Sequence, residues 1–163
     1  MILFTRPSVR AESLFHQPKA FDIPNVKQLH DEHVKLAIVA RQLSEMIAQG
    51  APPPARDLYS IRMRLASELI RHLKSEDWIL YPTLLASPHK NVALIARAFS
   101  ASMGGLASEF KTHCDRWGAD AITHNWKGYQ SETTKILRAL TLRITREERD
   151  LYPLLDSATQ AAA

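Results

Sequence analysis

The chain has little of several things that would point to common functions. Its single cysteine, Cys114, excludes an intrachain disulfide framework and a metal site built from thiolates. No apolar run approaches the roughly 18 residues of a membrane span, so we expect a soluble, cytoplasmic protein without a membrane segment. Basic residues outnumber acidic ones by 21 to 17, but the two signs alternate and no run of five basic residues occurs, which argues against nucleic-acid binding.

What the chain does contain is helical periodicity. Apolar residues make up 45% of the 163 residues, enough for one domain with a full core. They recur at alternating spacings of three and four along four segments, which predict helices at about 22–49, 55–81, 91–117 and 129–152. Pro82 and Pro153 are expected to end the second and fourth helices, because proline cannot continue helical hydrogen bonding. The Gly104-Gly105 pair predicts a kink or a close helix contact within the third.

These segments predict an all-α fold. Four helices of similar length joined by short links favour an antiparallel up-down-up-down four-helix bundle. We place the bundle at residues 22–156, after an N-terminal arm at 1–21 and before a frayed C-terminal tail at 157–163.

An eleven-residue pattern occurs twice, at 72–82 and at 143–153. Both copies have a glutamate, an acidic residue directly after it, and a Leu-Tyr-Pro sequence: Glu76, Asp77 and Leu80-Tyr81-Pro82 in the first, and Glu147, Glu148 and Leu151-Tyr152-Pro153 in the second. A basic residue, His72 or Arg143, precedes each glutamate by four positions. On a helix the two side chains of such a pair lie on one face, about 40° apart. We expect the two tyrosines to pack at the end of the bundle, with a hydrogen bond to a central ligand as the alternative.

Both pairs lie in line with the apolar face, where the core is expected. Two more histidines, His33 and His113, occupy apolar positions in the first and third helices. One buried histidine is more often a hydrogen-bonded core residue than a metal ligand. Three of them together with Glu76 and Glu147 favour a metal site, because a buried carboxylate must be compensated by a metal ion, a cation or a proton.

These motifs resemble the hemerythrin-like, or HHE cation-binding, domain family. The resemblance runs from residue 22 to residue 153 and includes Glu32-His33, the His72-to-Pro82 element, His113 and the Glu147-to-Pro153 element. It implies a hemerythrin-like bundle that binds non-haem iron, with manganese or zinc as other cations. The implied metal ligands are His33, His72, Glu76, His113 and Glu147. The resemblance also implies binding or sensing of a small diatomic ligand, oxygen or nitric oxide, or iron handling, and it is compatible with a homodimer.

Arg143 departs from the family pattern, because it stands where a ligand is expected and arginine stays protonated. By the family's pairing, His113 would share the second metal with this position, so one metal position is impaired. The remaining set for one metal ion is His33, His72, Glu76 and Glu147. A metal-free bundle that acts as an interaction or regulatory module is the alternative, with Arg143 paired to the glutamates. His30 could also supply a replacement imidazole. No further substrate-binding motif supports an enzyme, and we assign no catalytic residue.

Overall fold

The computed structural model describes residues 25–103 and 105–155, so the predicted arm at 1–21 and the predicted tail at 157–163 lie outside it. The described residues are helical and contain no strand, which confirms the all-α prediction. The α-helices in these residues are α1 (Val26–Ile47), α2 (Ala55–Ser75), α3 (Tyr81–Leu85), α4 (Lys90–Met103), α5 (Leu106–Arg116), α6 (Ala119–His124) and α7 (Trp126–Arg146). Two π-helical turns, Glu76–Leu80 and Glu147–Leu151, follow α2 and α7 directly.

The first helix starts at a capping residue. Asn25 has an extended backbone, and its side chain accepts a hydrogen bond of 2.8 Å from the N–H of Lys27. This bond satisfies one of the backbone donors that have no partner within the helix. The capping side chain thereby fixes the start of α1, eight residues before His33.

Each copy of the repeat contains a π turn that begins at its glutamate. The N–H groups of Tyr81 and Tyr152 bond to the carbonyls of Glu76 and Glu147, five residues earlier. A widened turn lets the helix continue where a proline ring would crowd an α-helix. The predicted ends at 81 and 152 are therefore wrong, because α3 continues to Leu85 and helical structure after the second turn continues to residue 155.

The third predicted helix is divided into two. α4 ends at Met103 and α5 begins at Leu106, with Gly105 in a turn before α5, close to where a kink was expected. The link predicted at 118–127 contains the short helix α6. No helix in the described part of the chain has both the length and the apolar character needed to cross a bilayer.

Apolar side chains form two clusters along the bundle. The larger core cluster is contributed by α1, α2, α5, α6 and α7. The smaller core cluster contains Leu29, Leu80, Tyr81, Leu84, Ala96, Phe99, Leu151, Tyr152 and Leu155. Between Leu29 of the smaller cluster and Leu36 of the larger one, α1 places His33. The two clusters therefore enclose a layer of buried polar side chains.

Candidate metal centre

Four buried side chains converge in this layer, and we call them the inner cluster: His33, His72, Glu76 and Glu147. α1 supplies the first histidine and α2 the second, and each π turn supplies its first residue. One ligand atom from each residue lies within 4.8 Å of the others. Sequence periodicity predicted that all four face the core, and the structure brings them together.

The distances within the inner cluster suit a metal ion. Nε2 of His33 lies 3.1 Å from Nε2 of His72, which lies 3.2 Å from Oε2 of Glu76. Nε2 of His33 lies 3.4 Å from Oε2 of Glu147. Two ligand atoms at about 2.1 Å from one metal ion are roughly 3.0–3.4 Å apart in octahedral or tetrahedral geometry. These three pairs of polar atoms are thus spaced like neighbouring ligands of one cation.

Two further carboxylates orient the imidazoles. His33 Nδ1 lies 2.7 Å from Glu148 Oε1, and His72 Nδ1 lies 3.1 Å from Glu32 Oε2. Hydrogen bonds from His33 and His30 lower the pKa of Glu148, although burial works in the opposite direction. Neither carboxylate was predicted as a site residue. Two sequence features could have predicted them: Glu148 follows Glu147 in the repeat, and Glu32 precedes His33.

These contacts determine what lies between the two imidazoles. A carboxylate can only accept, so Nδ1 of both His33 and His72 carries the proton. In neutral rings both Nε2 atoms then present lone pairs to each other at 3.1 Å. Two lone pairs at this distance repel unless a proton or a metal ion lies between them. With both Nδ1 atoms protonated, the geometry therefore favours a positive charge, a proton or a metal ion, at the centre of the inner cluster.

Arg143 lies on the other side of the glutamates. Its Nε donates to Glu147 Oε1, and one terminal nitrogen donates to Glu76 Oε2 and to Asp77 Oδ1, each at 2.8 Å. Although burial disfavours the charged guanidinium, Glu147 and Glu76 raise the pKa of Arg143. The predicted pairing of Arg143 with both glutamates is present. The guanidinium thus compensates part of the negative charge.

The two tyrosines of the repeat bond across it. Tyr81 donates to Glu147 Oε1 and Tyr152 donates to Glu76 Oε1, both at 2.7 Å. Burial, together with the charges of the two glutamates, raises the pKa of both phenols, so both stay protonated donors. Their rings pack in the smaller core cluster as predicted, while their hydroxyl groups hold the glutamates.

The charge balance of this layer is negative. Five carboxylates surround it, and one guanidinium opposes them; they are Glu32, Glu76, Asp77, Glu147 and Glu148, with Arg143. Burial and the charge of Glu76 raise the pKa of Glu147. Its Oε2 is buried without a hydrogen-bond partner. Arg143 alone therefore leaves one carboxylate oxygen uncompensated, and the donor set fits a further cation.

His113 lies elsewhere in the bundle. Its Nε2 contacts Thr133 Oγ1 at 3.0 Å, and its ring lies beside Tyr129. Thr133 precedes Arg143 by ten residues on α7, which is about 15 Å along the helix axis. Burial and the charge of Arg62 lower the pKa of His113. The structure thus does not bring this predicted ligand to the inner cluster.

The α4 part of the third helical segment contributes apolar side chains to the smaller core cluster. Ala96 and Phe99 of α4 belong to the smaller core cluster, and α4 contains no histidine, cysteine, aspartate or glutamate. His30 is likewise not in the inner cluster, because its exposed ring faces Glu148 at the surface. α4 therefore supplies no ligand for a second metal ion, and His30 does not supply one to the inner cluster.

Comparison with known families agrees with this site. The model of the family described as Hemerythrin HHE cation binding domain matches residues 25–155. No curated protein and no solved structure matches the chain significantly. The matched range contains the inner cluster and both copies of the repeat, and family and cluster together indicate metal binding. On this match over most of its length, the chain belongs to the hemerythrin HHE cation-binding family.

Proposed function

We propose that the protein binds one non-haem metal ion through His33, His72, Glu76 and Glu147, with iron as the physiological metal. The observation that supports this most directly is the 3.1 Å approach of the two Nε2 atoms. Both atoms present lone pairs because Glu148 and Glu32 hold the Nδ1 protons. A metal ion between the imidazoles removes the repulsion and also compensates Oε2 of Glu147.

The surrounding residues have distinct roles in this proposal. Glu32 and Glu148 keep the imidazoles in the tautomer that ligates a metal. Tyr81 and Tyr152 hold Oε1 of Glu147 and of Glu76, so the Oε2 atoms would ligate the metal; Oε2 of Glu147 has no hydrogen-bond partner, whereas Oε2 of Glu76 also accepts from Arg143. The smaller core cluster excludes water from this layer. When bound, a ferrous ion supplies affinity for diatomic ligands, and we propose that the protein binds or senses oxygen or nitric oxide, or handles iron.

Arg143 limits the number of metal ions to one. Its guanidinium contacts both glutamates and Asp77, on the side where a second ion would need ligands. A positive charge there repels another cation. Imidazole and carboxylate ligands together suit iron, and they also bind manganese and zinc.

Metal analysis of protein purified without chelator tests the proposal. We expect about one equivalent of metal per chain, and Fe²⁺ added anaerobically to apoprotein should bind to the same stoichiometry. Replacing His72 with alanine should abolish retention, whereas replacing the exposed His89 should not. Retention of metal by His72→Ala would exclude this ligand set, and two equivalents in the parent would exclude the limiting role of Arg143.

A metal-free interaction or regulatory module is the second candidate function. It is favoured by the three 2.8 Å bonds of Arg143, which already compensate much of the negative charge. In that case a shared proton, rather than a metal ion, lies between His33 and His72. The protein should then melt at the same temperature with EDTA as with added Fe²⁺, Mn²⁺ or Zn²⁺.

A further inference from the structure

The inner cluster is closed along the bundle axis. The larger core cluster lies on one side and the smaller core cluster on the other, and all four residues are at most 2% exposed. A bare cation cannot cross such apolar layers without losing its hydration uncompensated, which costs far more than thermal energy. Any route for a metal ion must therefore run sideways, between helices, past polar groups.

Two partly exposed carboxylates among the described residues lead from the surface to this layer. Asp77 is 24% exposed and Glu148 is 29% exposed. They hold equivalent places in the two copies of the repeat. Their inner contacts differ, because Asp77 bonds to Arg143 and Glu148 bonds to His33.

This difference distinguishes the two sides electrostatically. A cation that approaches at Asp77 meets the guanidinium of Arg143 directly behind the carboxylate. A cation that approaches at Glu148 meets an imidazole whose other nitrogen belongs to the proposed metal site. Like charges repel more strongly in a partly buried setting than in water. The approach at Glu148 is therefore electrostatically more favourable for a cation than the approach at Asp77.

A second metal-ligating group stands at the surface of this side. His30 is 58% exposed, and its Nδ1 lies 3.0 Å from each oxygen of Glu148. Glu148 thus contacts an exposed imidazole outward and a buried one inward, and His30 and His33 are one helical turn apart on α1. The chain from surface to centre consists of groups that ligate metals: His30, Glu148, His33.

We propose that His30 and Glu148 form a surface capture site for the divalent cation, from which it passes to the inner cluster. The inference rests on the proposed function, because it names the uptake route of that site. Glu148 attracts the hydrated cation, and His30 with Glu148 replaces part of its water shell at the surface. His30 is a group of the route and does not belong to the final ligand set.

Uptake kinetics with Co²⁺ test this route. Apoprotein is mixed with Co²⁺ in a stopped-flow instrument and the visible absorption of the bound ion is followed; release is followed after mixing the loaded protein with excess EDTA. The variants are His30→Ala, Glu148→Gln and, as the matched control, His89→Ala, which removes another exposed histidine. Equilibrium affinity is measured for each by competition with a chelator.

His30→Ala should slow both uptake and release by about tenfold and leave the affinity at the parent value, because only the route has changed. His89→Ala should match the parent. Added salt should slow uptake by the parent more than uptake by Glu148→Gln, since the attracting charge is gone.

Parent-like rates in His30→Ala would overturn the uptake route and leave the proposed function standing. A loss of affinity through faster release would also overturn the route, because it would place His30 in the final ligand set. A parent that binds no Co²⁺ would overturn the proposed function and the route with it.

Discussion

Replacing Arg143 with methionine tests the electrostatic account of this layer. Methionine has a similar length and no charge, so the change removes the guanidinium and leaves most of the packing volume. Three carboxylates lose a partner at 2.8 Å, and two of them, Glu76 and Glu147, are fully buried. The apoprotein should therefore lose stability.

The expected loss follows from the burial of the pair. Removing one partner of a buried ion pair costs about 3–5 kcal/mol, because the other charge stays buried without compensation. Burial and the charge of Glu76 already raise the pKa of Glu147, so that carboxyl can take up a proton and reduce the cost to about 3 kcal/mol. For a chain of this size, roughly 2–4 °C per kcal/mol gives a fall in Tm of about 6–12 °C.

Calorimetry in EDTA measures the change, with Arg138→Met as the control for losing an exposed arginine from the same helix. Without its partner a carboxyl has a folded-state pKa above the unfolded value. Such a group adds stability at low pH that is lost as the pH rises. The difference between parent and variant should thus be smaller at pH 5 than at pH 7.

Metal should restore the variant more than the parent. A divalent ion at 100 times its Kd stabilises the folded state by about 2.7 kcal/mol. The parent gains as much at the same multiple of its own Kd, so at one metal concentration the gap in Tm should close by the amount by which the unpaired carboxylates of the variant tighten its metal binding. A fall of less than about 2 °C in EDTA, which corresponds to under 1 kcal/mol, would refute the view that Arg143 compensates the glutamates.

Three further outcomes follow from the site. Glu32→Gln removes the carboxylate that orients His72, so metal affinity measured against a competing chelator should fall by about 10–100-fold while the apoprotein melts near the parent temperature. Hydrogen bonds to Glu76 and Glu32 and the charges of Glu76 and Glu147 raise the pKa of His72 against the effect of burial. As the pH is lowered, metal affinity should therefore begin to fall while the pH is still above 6.5, because the proton competes with the metal. Tyr152→Phe removes a donor from Glu76 and should lower the free energy of unfolding by about 1–3 kcal/mol in chemical denaturation.

The sequence predicts the inner cluster well because two kinds of signal agree there. Helical periodicity indicates which face of a helix a residue occupies, and on this basis His33 and His113 appear equivalent. Periodicity does not indicate the position of a residue along the bundle axis. His72 and the two glutamates can be assigned the same position along this axis, because both of their helices contain the same repeat. For His113 nothing in the pattern indicated its position along the bundle axis, and its contact Thr133 lies about 15 Å from Arg143 along α7.

The π turns could not be predicted from propensity. Proline ends most helices, and the pattern before Pro82 reads as an ordinary helix end. Each turn begins at a glutamate to which the tyrosine of the other copy donates, Tyr152 to Glu76 and Tyr81 to Glu147, and these bonds join residues far apart along the chain. Tertiary contacts of this kind leave no local trace apart from the repeat itself.

The crossed bonds of the two tyrosines have a consequence for how the chain folds. Tyr81 comes from the first half of the chain and bonds Glu147 of the second, whereas Tyr152 of the second half bonds Glu76 of the first. In a half-bundle intermediate each phenol would lose its carboxylate, and each glutamate would keep only the partner from its own helix, Glu76 with His72 and Glu147 with Arg143. Folding of the two halves is therefore coupled. Two fragments made by cutting the chain between α3 and α4 should fold only when they are mixed.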